Sequence, residues 1–399
     1  MKRKIITSLF ALCAIASQAQ NTQNSSSAPL DSIIIEGVVT NIADGTHFPL
    51  MQEGANSMQE TILKDGKFRI AVLPQQEEET YALIHGNCIL WLYAKPGTKI
   101  KIKGNGATSI QYWGVESDNF DQKENNAYNQ FIKDKLSDYY ELDNKWGLAY
   151  GRSFDESLTQ EERDKAVQED RELHQQLEAL RKEKYNAAIL DFMKDRPFCK
   201  RMIDELMMIA TYDKKPAIIE KAREIFKKVP QEAMNIPLVL DTKAKLYAQK
   251  VKIGEQMKDF TLFDREFKTH QLSEFKGKYT ILEFTFVGCG GCVFIKPFLE
   301  EFYKRNKDKA EVIAIYKDTK ENWMKEGQEH KVSYHEWSDP TFASEPVAAY
   351  DIKAYPTFVI IDPNGKILDI KTGGDGLLKA LEYIPDAEVE KKLKEAHKS

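Results

Sequence analysis

No apolar run in this 399-residue chain reaches the roughly 18 residues that a membrane-crossing helix requires. Excess positive charge is missing too: 57 lysines and arginines stand against 62 aspartates and glutamates, interspersed, for a formal charge of −5. That leaves no basic footprint for nucleic acid or anionic lipid, and neither partner is expected. Cysteine is scarce, five residues in all, too few to staple a chain of this length in the manner of small secreted domains. What is present is ordinary: 42% hydrophobic and 30% charged residues describe folded globular structure rather than disorder. The length exceeds what one compact core serves, so two or three domains are expected.

The first apolar run, Ile5 to Ala16, follows Lys2, Arg3 and Lys4 and precedes the small residues Ser17 and Ala19. The pattern reads as a secretory signal peptide over residues 1–19, cleaved after Ala19. At about 18 Å of helix the run is short of the roughly 30 Å hydrocarbon layer. Cys13 raises a lipoprotein alternative, but bulky Leu12 stands where lipobox sequences carry a small residue, so lipid anchoring is not expected. Cleavage removes three positive charges and takes the net charge from −5 to −8. A soluble periplasmic protein without membrane insertion is expected. An oxidising compartment lets disulfides persist, and Cys88, Cys199, Cys289 and Cys292 remain to be explained.

Composition divides the rest. Residues 20–30, polar and Ser-rich, read as a flexible linker. Residues 31–106 carry short β-branched runs such as "SIIIEGVVT" and "TKIKIKG" between "ADG", "KDG" and "KPG" turns, which predicts a β-sandwich-like or small-barrel domain. Over 107–250 glycine and proline become scarce and apolar residues fall at helical spacing, as at Leu173, Leu177 and Leu180, which predicts an all-helical segment. Its methionines in "RMIDELMMIATY" read as helix core rather than a metal site. Residues 251–399 alternate strands and helices, which predicts an α/β domain with crossover connections. Cys88 and Cys199 fall in different segments and read as buried free thiols.

The chemistry concentrates in "ILEFTFVGCGGCVFIKP", residues 281–297, where Cys289 and Cys292 follow an apolar strand directly. Zinc would need two more ligands, and no second CxxC or nearby HxxxH supplies them; His330 and His335 are the candidates within reach, and no metal is expected. A peroxidase is a further alternative, but Phe286 stands three residues before Cys289 where peroxidases of this type resemble a TxxC pattern. A structural disulfide and a binding scaffold that merely keeps the fold are the non-catalytic readings.

Four features in order resemble the thioredoxin-like family, in particular its exported thiol-disulfide oxidoreductases: "CGGC"; Pro297, five residues after Cys292; Glu283, six residues before Cys289; and "YPTF" with Pro356. The order of elements in 31–106 resembles the β-domain of unknown function that precedes such domains in exported Bacteroidota proteins. The resemblance implies that Cys289, at a helix N-terminus that favours its thiolate, attacks a protein disulfide, and that Cys292 resolves the mixed disulfide. Gly290 and Gly291 lie between them, Pro356 forms a cis-proline loop facing the cysteines, Tyr355 meets an extended substrate segment through its backbone, and Thr357 lines the groove. Glu283 accepts the Cys292 proton; the bland alternative is that it pairs with a lysine such as Lys317. No cofactor is implied. The expected partners are proteins with disulfides or thiols and an electron-donor thiol protein, with reduction favoured over oxidation.

Overall fold

The computed structural model describes residues 32–53, 58–75, 77–339, 341 and 344–397. The signal peptide and the linker expected over 1–30 lie outside the described residues. The described chain divides into two compact units between Glu205 and Leu206. No helix among the described residues is long and apolar enough to cross a membrane.

The first unit opens with strands β1 (Ile33–Thr40), β2 (His47–Gln52), β3 (Met58–Ile62), β4 (Lys67–Val72), β5 (Glu79–His85), β6 (Cys88–Ala94), β7 (Lys99–Asn105) and β8 (Gly114–Glu116). They form two four-stranded sheets, ordered β4-β1-β7-β8 and β3-β2-β5-β6. Strands β1, β4 and β7 bury alternate side chains, the period-two pattern of a sheet with one covered face. Ile33, Ile35 and Ile100 from one sheet share an apolar cluster with Phe48, Leu83 and Leu92 from the other, joined by Trp113. Helices α1 (Phe120–Lys135), α2 (Ser137–Ser153), α3 (Gln160–Leu180) and α4 (Asn186–Met193) follow. Helix α3 starts at a reciprocal capping box between Thr159 and Glu162. Cys88 and Cys199 are unpaired buried thiols, each pushed up to about 11 chiefly by burial.

The unit boundary falls inside α5 (Lys200–Tyr212), so α6 (Pro216–Phe226) and α7 (Pro237–Tyr247) group with the second unit, whereas composition alone runs the helical segment on to residue 250. A short ribbon of β9 (Leu262–Phe263) and β10 (Thr269–His270) leads into β11 (Tyr279–Thr285), α8 (Gly290–Asn306), β12 (Ala310–Tyr316), α9 (Lys320–Glu329), β13 (His335–Trp337) and α10 (Ser344–Ala349). Hairpin β14 (Thr357–Ile361) and β15 (Ile367–Thr372) precedes α11 (Asp375–Tyr383) and α12 (Ala387–Ala396). The sheet runs β13-β12-β11-β14-β15, with β11, β12 and β13 parallel, β14 antiparallel to β11 and β15 antiparallel to β14. This is the arrangement that the resemblance to thioredoxin-like proteins leads one to expect.

Strand β11 sits at the middle of that sheet and is covered on both sides, which is why "YTILEFT" shows no alternation. Ile281 joins Ile295, Leu299 and Phe302 of α8 and Phe358 of β14 in one core. Leu282 and Phe284 join Ile313, Trp337 and Tyr350 in the other.

Helix α11 packs so closely on the first core that a Cβ added at Gly376 would lie 2.0 Å from Phe358 Cδ2. Alanine in a helix gains up to about 1 kcal/mol of propensity over glycine, but forcing a methyl against a ring with no room to retreat costs about 1–3 kcal/mol. Gly376→Ala is therefore expected to lower stability by about 1–2 kcal/mol, read as a lower denaturation midpoint; an unchanged or raised midpoint would show that the ring yields freely.

Candidate active site

After β11 the chain turns through Phe286, Val287 and Gly288, whose φ of +86° suits glycine. Val287 donates its N–H to Asp318 Oδ2 at 2.8 Å, which ties the turn to the loop after β12. Cys289 is the N-cap of α8, and its Sγ accepts the N–H of Cys292 at 3.1 Å. An electron-rich sulfur is favoured there by the unpaired N–H groups and the helix dipole. Cys289 and Cys292 are joined as a disulfide, with an S–S distance of 2.07 Å. They are 4% and 5% exposed, while Val293 beside them is 61% exposed and Phe286 and Phe294 are partly so.

The peptide between Tyr355 and Pro356 is cis. A Cβ on Gly291 would come within 3.1 Å of Pro356 Cδ, so the CGGC turn and the cis-proline loop face each other at close range. Gly290 has open space around it. The Tyr355 ring stands edge-on to Phe286 at 5.3 Å, and burial, with Asp241 adding to it, pushes the phenol far above its ordinary value. Thr357 is buried; its hydroxyl donates to Ala354 O at 2.7 Å and lies 3.0 Å from Thr372 Oγ1, so it braces the loop from inside.

Glu283 is 2% exposed, paired in register with Ala314 on β12 and Phe358 on β14. Burial pushes its carboxyl from an ordinary 4.5 up to about 8; Lys296 pulls it down and Glu336 adds to the rise. Lys317, the lysine suggested by sequence as a bland partner, instead makes an ion pair with Asp241 of α7. The lysine whose charge bears on Glu283 is instead Lys296, one turn along α8 from Cys292, and its ion pairs are with Glu326 and Glu336. A lysine within the apolar run "VFIKPF" was the signal for it. His330 and His335 lie beside different carboxylates, Glu326 and Glu311, rather than together.

The AhpC/TSA family matches residues 253–370. Thiol-disulfide oxidoreductase ResA of Geobacillus thermodenitrificans is 30% identical over 125 residues, which cover 31% of this chain and 71% of that protein. Thioredoxin-like protein YneN of Bacillus subtilis is 30% identical over 131 residues, 31% of this chain and 73% of that protein. Among solved structures, the thioredoxin domain of a thiol-disulfide oxidoreductase from Bacteroides vulgatus matches 34% of this chain and 100% of its own, at 26% identity and a TM-score of 0.32.

The raised carboxyl has a sign that stability measurements can read. Below pH 4.5 Glu283 holds its proton in the folded and unfolded chain alike. From 4.5 to about 8 the unfolded chain gives it up while the folded chain keeps it, so stability falls with rising pH. The loss accrues at up to roughly 1.4 kcal/mol per unit. Glu283→Gln is expected to remove that slope: more stable than wild type above about pH 8, with the difference vanishing towards pH 4.5. Parallel stability curves for the two proteins would contradict it.

Proposed function

Since roughly the C-terminal third of this chain belongs to the thioredoxin-like thiol-disulfide oxidoreductases, we propose that it reduces disulfides of client proteins outside the cytoplasm through Cys289 and Cys292. The observation that carries this reading is the disulfide at the N-terminus of α8, one sulfur accepting a helix N–H, set against a cis-proline loop. In the reduced enzyme the Cys289 thiolate attacks a client disulfide; one client sulfur joins Cys289 and the other leaves as thiolate. In molecules whose Glu283 has given up its proton, Cys292 passes its own proton to that carboxylate and attacks Cys289. The bond between Cys289 and the client breaks, the second client sulfur leaves, and the intramolecular disulfide forms. Two electrons have moved to the client, and an external dithiol protein returns them.

Tyr355 is the residue whose backbone pairs with the extended client segment. Among the described residues its N–H and C=O have no hydrogen-bond partner, which supports this role. Gly290 and Gly291 leave the approach to Cys289 free of side chains, Pro356 closes its far side, and Thr357 supports the groove from beneath. The basic start and apolar run of residues 1–19, expected from sequence to be an export signal, fit a periplasmic setting. The two N-terminal sheets form a sandwich-like domain which, with the helices after it, stands ahead of the catalytic domain.

Supplied with a small dithiol, the mature protein is expected to accelerate reduction of a model protein disulfide, and Cys289→Ser to bring the rate down to the uncatalysed one. Cys292→Ser should accumulate client-linked mixed disulfides on non-reducing gels, because attack survives and resolution does not. Glu283→Gln should slow resolution on the order of 10²-fold, the scale of general base catalysis. Equal rates for wild type and Cys289→Ser would leave the domain a binding scaffold.

A further inference from the structure

Glu283, Ala314 and Glu336 stand in register across the three parallel strands β11, β12 and β13. Side chains in register on neighbouring strands point to the same face. That face is the one covered by α8, since Ala314 shares a core with Ile295 and Leu299. Two carboxyls therefore flank an alanine, the smallest side chain that keeps the strand regular, and α8 lays Lys296 over the gap. Its Nζ lies 3.8 Å from Glu336 Oε1 and 2.9 Å from Glu326 Oε1 of α9. Glu336 is held in place from two further elements: Arg265 Nε lies 2.9 Å from Oε2, and the Tyr316 hydroxyl donates to Oε1 at 2.8 Å. Arg265 is itself fixed by donation to the Trp323 carbonyl and by the Tyr316 ring. The Tyr334 hydroxyl is buried in the same region with no partner, and Glu283 is the charge that bears on it most.

The charges in this cluster do not cancel. Glu283, Glu326 and Glu336 face two permanent cations, Lys296 and Arg265, with His330 beside Glu326 at the rim, so while His330 is neutral the group is neutral only when one carboxyl holds a proton. Glu326 and Glu336 have direct ion-pair partners; Glu283, opposite the apolar Phe358 of β14, has none among the described residues. The surplus proton belongs on Glu283.

We propose that Lys296 and Glu336 are opposed positioning charges for Glu283, Lys296 favouring loss of its proton and Glu336 favouring retention, and that their balance makes Glu283 a two-way proton store for Cys292. This rests on the reading of Glu283 as the acceptor given above. Neither residue touches the sulfurs in this account; both act through the carboxyl between them. The other charges near the site are already matched: Glu300 of α8 pairs with Lys304 and accepts from Ser333, and Arg265 is committed to Glu336.

The test uses opposite signs, which a general loss of packing does not mimic. In the full-length chain, the Glu283 carboxyl is titrated by isotope-edited infrared difference spectroscopy against Glu283→Gln, and resolution is followed as single-turnover decay of a client mixed disulfide across pH. Lys296→Met is expected to move both midpoints up by about one unit or more, the usual effect of removing an adjacent opposite charge. Glu336→Gln, which keeps hydrogen bonds to Arg265 and Tyr316, is expected to move both down, and Lys296→Arg to restore the wild-type midpoint. Midpoints that shift in the same direction in Lys296→Met and Glu336→Gln, or do not shift, overturn the proposal. Should Lys296→Met fail to fold, Glu336→Gln and Lys296→Arg decide it alone, by a downward shift and by none. A carboxyl that titrates as expected while the decay profile stays fixed upholds the opposed charges on Glu283 and removes its role towards Cys292.

Discussion

An ionised carboxylate inside a sheet that is covered on both faces loses its hydration, and without partners that loss is worth several kcal/mol. Glu283 occupies such a place, on the middle strand, with an alanine on one side and a phenylalanine ring on the other. The surroundings meet the constraint in two ways: the carboxyl keeps its proton to about pH 8, and a lysine stands near enough to accept the charged form when the proton leaves. Full neutralisation by a direct ion pair would hold the group charged throughout the neutral range, and full burial without Lys296 would hold it protonated. A group that changes state near neutrality needs the intermediate arrangement. Helix α8 supplies both halves of it, since one turn separates Cys292 at its start from Lys296.

The sequence made the chemical centre legible because its parts are local or carry strong backbone demands. Two cysteines three positions apart after a buried strand, a proline within the next helix, and an acid in an apolar strand can all be read without knowing what lies across the fold. The strands at 279–285 and 310–316, the helix after Cys292 and the hairpin 357–372 follow the expected pattern for the same reason. Lys296, Glu336 and Arg265 were not legible as a group. They come from α8, β13 and the turn between β9 and β10, and their meeting depends on strand register, which charge patterning along a chain does not encode. Strand β13 and helix α10 are three and six residues long and carry too little period to announce themselves.

The reach of the C-terminal unit was also hidden. Helical periodicity says that α6 and α7 bury one face, not what they bury it against. Asp241 of α7 shows the answer for that helix: it pairs with Lys317 and accepts from the Ser344 hydroxyl at the start of α10. Lys317 donates its own N–H to Thr285 O, the last residue of β11, and Asp318 beside it accepts from Val287 N at 2.8 Å in the turn that leads to Cys289. Two consecutive residues after β12 thus hold the approach to the disulfide, and the first of them is fixed from α7. A helix that sequence assigns to the preceding segment on composition is, by these contacts, part of the scaffold that keeps Cys289 at the head of α8. Helix α7, which starts at residue 237, thus braces the turn that leads to Cys289 from ahead of the change of pattern at 251.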